Sequence, residues 1–227
     1  TLEWLLPRAI ELHGNGGHAW LTAQTHRLRR IISTWQLTRV RPLAPSRGGV
    51  VLEAEHAGAR VVLKAPMLAP TQHIRAQLLL ARCGIGPAVL NVHHEYGILL
   101  LEHIPGEPVS RDADPHDRRT AAGLLPHLHQ HSDGAGLPEL EQWLLPRLHG
   151  EPADRAEDNT TRYSTDTAID DLAQLQKSPV PARAIHADLN VGNLLRTPEG
   201  NITVIDARGV RGDPAYDYAL LTVKTSD

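Results

Sequence analysis

The chain of 227 residues is 41% hydrophobic and 22% charged, close to globular averages, which excludes disordered and fibrous classes. Its net charge is only −3, yet residues 1–105 carry 11 Lys/Arg against 6 Asp/Glu, and residues 106–175 carry 6 against 14. No apolar run approaches the roughly 18 residues that span a bilayer, and a single cysteine, Cys83, excludes an internal disulfide.

Phe is absent and only four Trp and four Tyr are present, so the core must be built from Leu, Val, Ile and Ala. The opening "TLEWLLPRAIELHGNGG" lacks the basic segment and cleavage site of a signal peptide. With one cysteine, a small apolar residue of the core, a reducing cytoplasm is the expected location. Within the opening, "LEWLLPRAIEL" spaces its apolar residues as a helix does. So does "HAWLTAQTHRLRRIISTW", and "GNGG" separates the two. After "RPLAPSRGG" the period shortens, and "VVLEAEHAGARVVLKAP" reads as two strands around a turn at His56–Ala59. "TQHIRAQLLLARCGI" is helical in pattern, and "GPAVLNVHHEYGILLLEHIPGEP" supplies two further strands. The Pro/Gly break at Pro105–Pro108 marks a lobe boundary, with residues 1–104 before it and 105–227 after.

Beyond that break the pattern is helical in "DRRTAAGLLPHLHQH", "PELEQWLLPRLHG" and "STDTAIDDLAQLQ", with the polar stretch "EPADRAEDNTTRY" as a loop. "RAIHADLNVGNLLRTPEGNITVIDARG" carries two short apolar arms, Asn193–Arg196 and Ile202–Ile205, around the turn "TPEG". His127 and His131 have the i, i+4 spacing of a metal pair, but no further group in the sequence completes a site. The expected class is α+β, a small β-rich lobe followed by a mainly helical one.

The chemistry concentrates in "HADLNVGN", residues 186–193, and in "VID", which sets Asp206 at the end of an apolar arm. Phosphoryl transfer needs a carboxylate to orient the attacking hydroxyl and take its proton, and oxygen ligands to hold Mg²⁺ against the phosphates. Asp188 suits the first role, and Asn193 with Asp206 suits the second. His186 reads as an organiser of the loop. Lys64 ends the strand "VVLK" on the face of Val62, where it can meet nucleotide phosphates as a point charge. Ser46, Gly48 and Gly49 offer backbone N–H groups to the same phosphates, although "SRGG" lacks the three spaced glycines of a full phosphate loop. Asp213 before Pro214 reads as a helix N-cap followed by proline.

"HADLNVGNLL" followed by "VIDARGVRGDPAYDYALL" resembles the catalytic loop and metal-binding strand of the aminoglycoside phosphotransferases. The ending "GDPAYD" and the opening "HAWLTAQTHRLRRIISTWQLTRVRPL" are most similar to the streptomycin kinase and hydroxyurea phosphotransferase branch. This resemblance implies a protein-kinase-like two-lobed fold that uses ATP. The backbone of Glu102, His103 and Ile104 would meet the adenine, and Asp217 would steady the catalytic loop. The family places a Glu on the helix after the lysine strand, whereas this helix has none and offers Gln77 and Arg75 near that place. Family members also continue with further helices, whereas this chain stops ten residues beyond Asp217, so part of the substrate site is expected to lie outside it.

Ala187 in place of an Arg before Asp188, and the six residues between Asp206 and Asp213, argue against a protein kinase. The leading expectation is an ATP- and Mg²⁺-dependent kinase of a cationic small molecule such as an aminoglycoside or a basic peptide antibiotic. The basic first part of the chain suits a nucleotide and the acidic middle suits a cation, although an uneven solvated surface would look the same. A choline, sugar or homoserine kinase would share the same core, and a catalytically impaired nucleotide-binding module would account for the missing Glu. Neither nucleic acid nor a membrane is expected as a partner, and the oligomeric state stays open.

Overall fold

Two helices open the chain. In the computed structural model they are α1 (Leu6–His13) and α2 (Gly17–Thr34), joined by a 3-10 turn at Gly14–Gly16. The structure describes residues 2, 5–43, 49–67, 69–109, 115–148, 170–174, 177 and 180–223. They form two compact units, Thr1–Ile74 with Pro87–Ile104, and Arg75–Gly86 with Pro105–Asp227. The proline of α1 sits in the first turn, where its missing N–H leaves no bond unmade. α2 buries Gly17, Leu21, Gln24, Leu28 and Ile31, one stripe at helical spacing.

The first unit contains a five-stranded antiparallel sheet of β1 (Thr38–Pro42), β2 (Gly49–His56), β3 (Ala59–Pro66), β4 (Val89–His93) and β5 (Ile98–Glu102), ordered β1-β2-β3-β5-β4. β2 and β3 meet at Ala57–Gly58, both at positive φ, the backbone that a tight two-residue hairpin requires. Alternation sends Val50, Leu52, Ala54, Val61, Leu63, Ala65, Ile98 and Leu100 to one face. There they form a single cluster with Leu5, Leu21, Leu28 and Ile31. Gly49 starts β2 where a Cβ would stand 2.3 Å from the Ala65 carbonyl oxygen, so no larger residue fits.

β1 does not follow from the periodicity. Its sequence, TRVRP, has one apolar side chain that is only half-buried. Cross-strand ion pairs hold this edge strand, Arg39 with Glu55 at 2.9 Å and Arg41 with Glu53 at 2.9 Å. The Arg41 guanidinium also holds the Glu53 carboxyl below its ordinary range.

The chain passes between the units inside α3 (Pro70–Arg82), again between Gly86 and Pro87, and last between Ile104 and Pro105. The second unit adds β6 (Glu107–Pro108), α4 (Pro115–His131), α5 (Leu140–Leu148), β7 (Arg183–Ile185), β8 (Leu194–Arg196), β9 (Ile202–Val204), β10 (Val210–Gly212) and α6 (Ala215–Val223). Two small sheets, β10-β7 and β6-β8-β9, replace one large one. α4 turns Asp117, Ala121, Leu125, Leu128 and His129 inward, again at helical spacing. Ala121 and Leu125 pack with Leu189, Val191, Leu194, Val204 and Leu221. Leu128 packs with Ala76, Leu80, Ala184 and Ala207. These contacts bring β7, the β8–β9 hairpin and α6 around one helix. The arms anticipated at Asn193–Arg196 and Ile202–Ile205 are β8 and β9. β6, β7 and β10 are too short to show a period. "EPADRAEDNTTRY" lies outside the described residues, as does "STDTAIDDLAQLQ" except for a helical stretch at 170–174.

Candidate active site

β7 ends at Ile185 and delivers the chain to His186, Ala187 and Asp188. β10 runs antiparallel beside it, with Val210 opposite Ile185. The pairing continues one step further, because the Arg208 N–H donates to the His186 carbonyl at 2.8 Å. Arg208 is thereby set alongside the loop. Its Nε and Nη2 both donate to Asp188 Oδ2, at 3.2 and 3.0 Å. The other carboxylate oxygen, Oδ1, lies 3.4 Å from Asn190 Nδ2.

Two amides hold the Asp188 backbone. Asn193 Nδ2 donates to its carbonyl at 2.8 Å, and Asn190 Nδ2 donates to the same oxygen at 3.1 Å. Asn190 also accepts from the Gly192 N–H at 3.0 Å, an Asx turn that starts the 3-10 turn Val191–Asn193. That turn feeds β8. Leu194 pairs with Val204, and the Ile205 N–H donates to the Asn193 carbonyl at 2.9 Å, so Asn193 and Asp206 emerge side by side at one end of the β8–β9 hairpin. Asn193 Nδ2 is committed to Asp188. An amide oxygen and a carboxylate are ligand types that a hard cation such as Mg²⁺ takes, so the residue types at 193 and 206 suit the metal expected of them.

His186 is wholly buried. Its Nε2 is 2.9 Å from the Ile205 carbonyl, which can only accept, and its Nδ1 receives the Asp188 N–H at 3.2 Å. These two bonds define the neutral tautomer with the proton on Nε2. Burial pushes the imidazole below the usual histidine range, against opposing pulls from the Asp217 carboxylate and the Ile205 carbonyl. The ring joins the loop to the strand that carries Asp206.

Asp217, on α6, is also wholly buried. Its Oδ2 accepts the His186 N–H at 2.8 Å and its Oδ1 accepts the Ala187 N–H at 2.9 Å. Ala187 stands at φ +63 and Asp206 at φ +66, left-handed conformations that cost a non-glycine residue about 1–3 kcal/mol. Both lie in the loop segments that converge on this site. Asp213 accepts the Ala215 N–H at 2.9 Å ahead of α6, the bond of an N-cap.

In the first unit, Lys64 is half-buried on the sheet face opposite the helix-packed cluster, between Val51 and Leu99. The Glu102 N–H donates to the Ala88 carbonyl at 2.9 Å, and Glu102 Oε2 accepts the Ala88 N–H at 3.2 Å. His103 and Ile104 follow outside any strand. Ser46 and Gly48 lie outside the described residues. In the second unit, Gln77 is buried on α3, and Arg75 donates to the Gly136 carbonyl.

Three residues at the site have no counterpart in the motif reading. Asn190 and Arg208 bind Asp188 directly. His129 is the buried member of "HLHQH", while His127 and His131 are exposed, with ring centroids 6.5 Å apart. The one local cue was a lone cation two residues after Asp206.

A family model described as "Phosphotransferase enzyme family" matches residues 50–226. The chain belongs to this family. Solved structures share the fold of this chain at low identity. The choline/ethanolamine kinase family protein from Mesorhizobium loti is 19% identical, with a TM-score of 0.60, over 82% of this chain and 64% of that one. The chain thus spans 64% of that relative's length. An aminoglycoside-3'-phosphotransferase of type VIII is 22% identical, with a TM-score of 0.59, over 85% and 80% of the two chains. A thermostable mutant of an aminoglycoside phosphotransferase, solved with ADP and hygromycin B, is 16% identical, with a TM-score of 0.56, over 85% and 74%. No curated protein matches the sequence. The fold is α+β and kinase-like, and among the described residues no helix is long and apolar enough to cross a membrane.

Proposed function

We propose that this phosphotransferase moves the γ-phosphoryl group of ATP to a hydroxyl of a cationic small molecule, with Asp188 as the base. The observation that carries the reading is the setting of Asp188, whose carbonyl is held by two amides and whose Oδ2 is held by Arg208, beside Asn193 and Asp206. The bond between the hydroxyl oxygen and the γ-phosphorus forms as the bond from that phosphorus to the β-phosphate bridging oxygen breaks. Asp188 takes the hydroxyl proton. Asn193 and Asp206 would hold Mg²⁺, which would offset the charge of the phosphates. Residues 1–104 form the nucleotide-binding lobe in this reading and residues 105–227 the catalytic one. Lys64 meets the phosphates, assisted by Ser46, Gly48 and Gly49. Because the Glu102 N–H is taken by Ala88, His103 and Ile104 supply the backbone donors for adenine.

The resemblance at "GDPAYD" supports a substrate of the streptomycin type, and with it a resistance role in the cytoplasm. The acidic composition of residues 106–175 favours a cation in general. The match to a choline/ethanolamine kinase family protein supports the second reading, a metabolic kinase of a small cationic alcohol. A screen of ATP consumption across aminoglycosides, tuberactinomycin-type peptides and small alcohols including choline separates the two. Turnover is expected with at least one cation, and Asp188→Ala should lower it by about 10²–10⁴-fold while leaving MgATP affinity unchanged. Full activity in Asp188→Ala would remove the assigned role, and no turnover by the parent chain with any acceptor would favour a nucleotide-binding module.

A further inference from the structure

His129 has no part in the transfer as proposed, yet it sits in the most constrained part of the second unit. It projects from α4, is 6% exposed, and lies 88 positions before Asp217 in the chain. Its Nε2 is 3.0 Å from Asp217 Oδ2 and donates to it, because the carboxylate only accepts. The Tyr218 ring meets the imidazole edge-on, with centroids 5.8 Å apart. The Asp217 carboxylate thus takes three donors: the His129 ring, the His186 N–H and the Ala187 N–H.

We propose that His129 is a positioning residue for Asp188, acting through Asp217. To hold one backbone N–H on each oxygen, the Asp217 carboxylate must keep its plane across the 186–187 peptides. Two of its three donors belong to adjacent residues of the loop itself. The third, His129, bonds Oδ2 from a helix that the core clusters fix. The anchor matters because Ala187 is held at φ +63, from which an L-residue relaxes toward negative φ when its restraints loosen. That relaxation rotates the peptide into Asp188. It would carry the carboxylate away from Arg208 and the carbonyl away from Asn190 and Asn193. A buried carboxylate short of a donor pays a further desolvation penalty, so Asp217 would not keep its orientation unaided. In the sequence, spacing marks only the outer pair, His127 and His131, which no further group completes into a site. The helical phase of α4 turns the middle histidine inward instead.

The proposal rests on the reading of Asp188 as the base, so its test has one arm that needs turnover and one that does not. His129→Gln carries an amide N–H to about the place of Nε2, whereas the shorter His129→Asn cannot reach Asp217. With the acceptor found in the screen, His129→Asn should lower kcat about tenfold, the effect of one lost hydrogen bond to a charged group, with KM for MgATP unchanged. His129→Gln should restore most of kcat. In the second arm, amide hydrogen exchange of the protein without ligand should speed up at His186 and Ala187 by about tenfold in His129→Asn and remain slow in His129→Gln. Amides elsewhere in α4 should not change. An unchanged kcat in a folded His129→Asn would overturn the proposal, as would a joint loss in kcat, KM and melting temperature that Gln does not rescue. If the parent chain phosphorylates nothing, the reading of the function fails. Exchange alone then decides on His129, with unchanged protection at Ala187 ruling the clamp out.

Discussion

Asp188 takes its character from groups that are remote in sequence. Arg208 binds it from 20 positions away, and Asp217 holds the two preceding N–H groups from about 30 positions away. His186, Asp188, Asn193 and Asp206 are legible because their spacing is local. Arg208 and His129 are not, because a hydrogen-bond partner across the fold leaves no periodic trace, and Asn190, two residues from Asp188, looks like any turn asparagine. The buried His186 makes a prediction for pH. Its folded pKa is depressed, so folding favours the neutral ring, and the stability it contributes is complete above its unfolded pKa of about 6.5. That contribution is lost as pH falls below this value, since the unfolded chain then binds a proton that the folded chain resists. Melting curves should therefore show wild type losing stability more steeply than His186→Gln as pH drops below about 6.5. A parallel fall in both would place the pH dependence elsewhere.

Among the elements, the paired strands β2 and β3 and the helices α2 and α4 were legible because each buries one face at a regular period. β1 was not, because two ion pairs to β2 substitute for apolar burial at the edge. β7 and β10 were not, because three residues cannot display alternation. Yet these two strands position His186, Asp188 and Arg208. The segment that joins β9 to β10 is tightly specified. Gly209 has φ +65, and a Cβ there would stand 2.6 Å from the Ala76 Cβ on α3. Gly209→Ala adds backbone strain to overpacking and should lower stability by about 2–4 kcal/mol in urea unfolding. A change under about 0.5 kcal/mol would mean that α3 yields at Ala76.

At the scale of the molecule, the order, β-rich first and helical later, followed from the switch in hydrophobic period along the chain, and the kinase-like class from the resemblance at "HADLNVGNLL" and "VIDARGVRGDPAYDYALL". The substrate did not, since much of the acidic stretch 106–175 lies outside the described residues and net charge names a sign rather than a molecule. Nucleotide binding makes a test of the whole chain. MgATP at about 100 times its Kd should stabilise the folded state by about 2.7 kcal/mol, seen as a rise in melting temperature. Lys64→Ala should reduce that rise at the same MgATP concentration, and Asp188→Ala should leave it intact. If Lys64→Ala keeps the full rise, the phosphates are held by other groups.

The β8–β9 hairpin carries Asn193 and Asp206 at one end and turns through Thr197–Gly200 at the other, three strand pairs away, roughly 10 Å. Pro198, Glu199 and Gly200 are exposed. The spacing of the two oxygen donors is set by strand pairing and not by the length of the turn, which makes the turn a port for protein engineering. A flexible insert of about ten Gly/Ser residues between Glu199 and Gly200 adds only a modest loop-closure entropy, about 0.6 kcal/mol per doubling of length. Such a chain should melt within a few degrees of the parent and keep its turnover, whereas the same insert between Gly192 and Asn193 should silence it. A reporter peptide or a split-protein fragment displayed there would leave the spacing of Asn193 and Asp206 as it is.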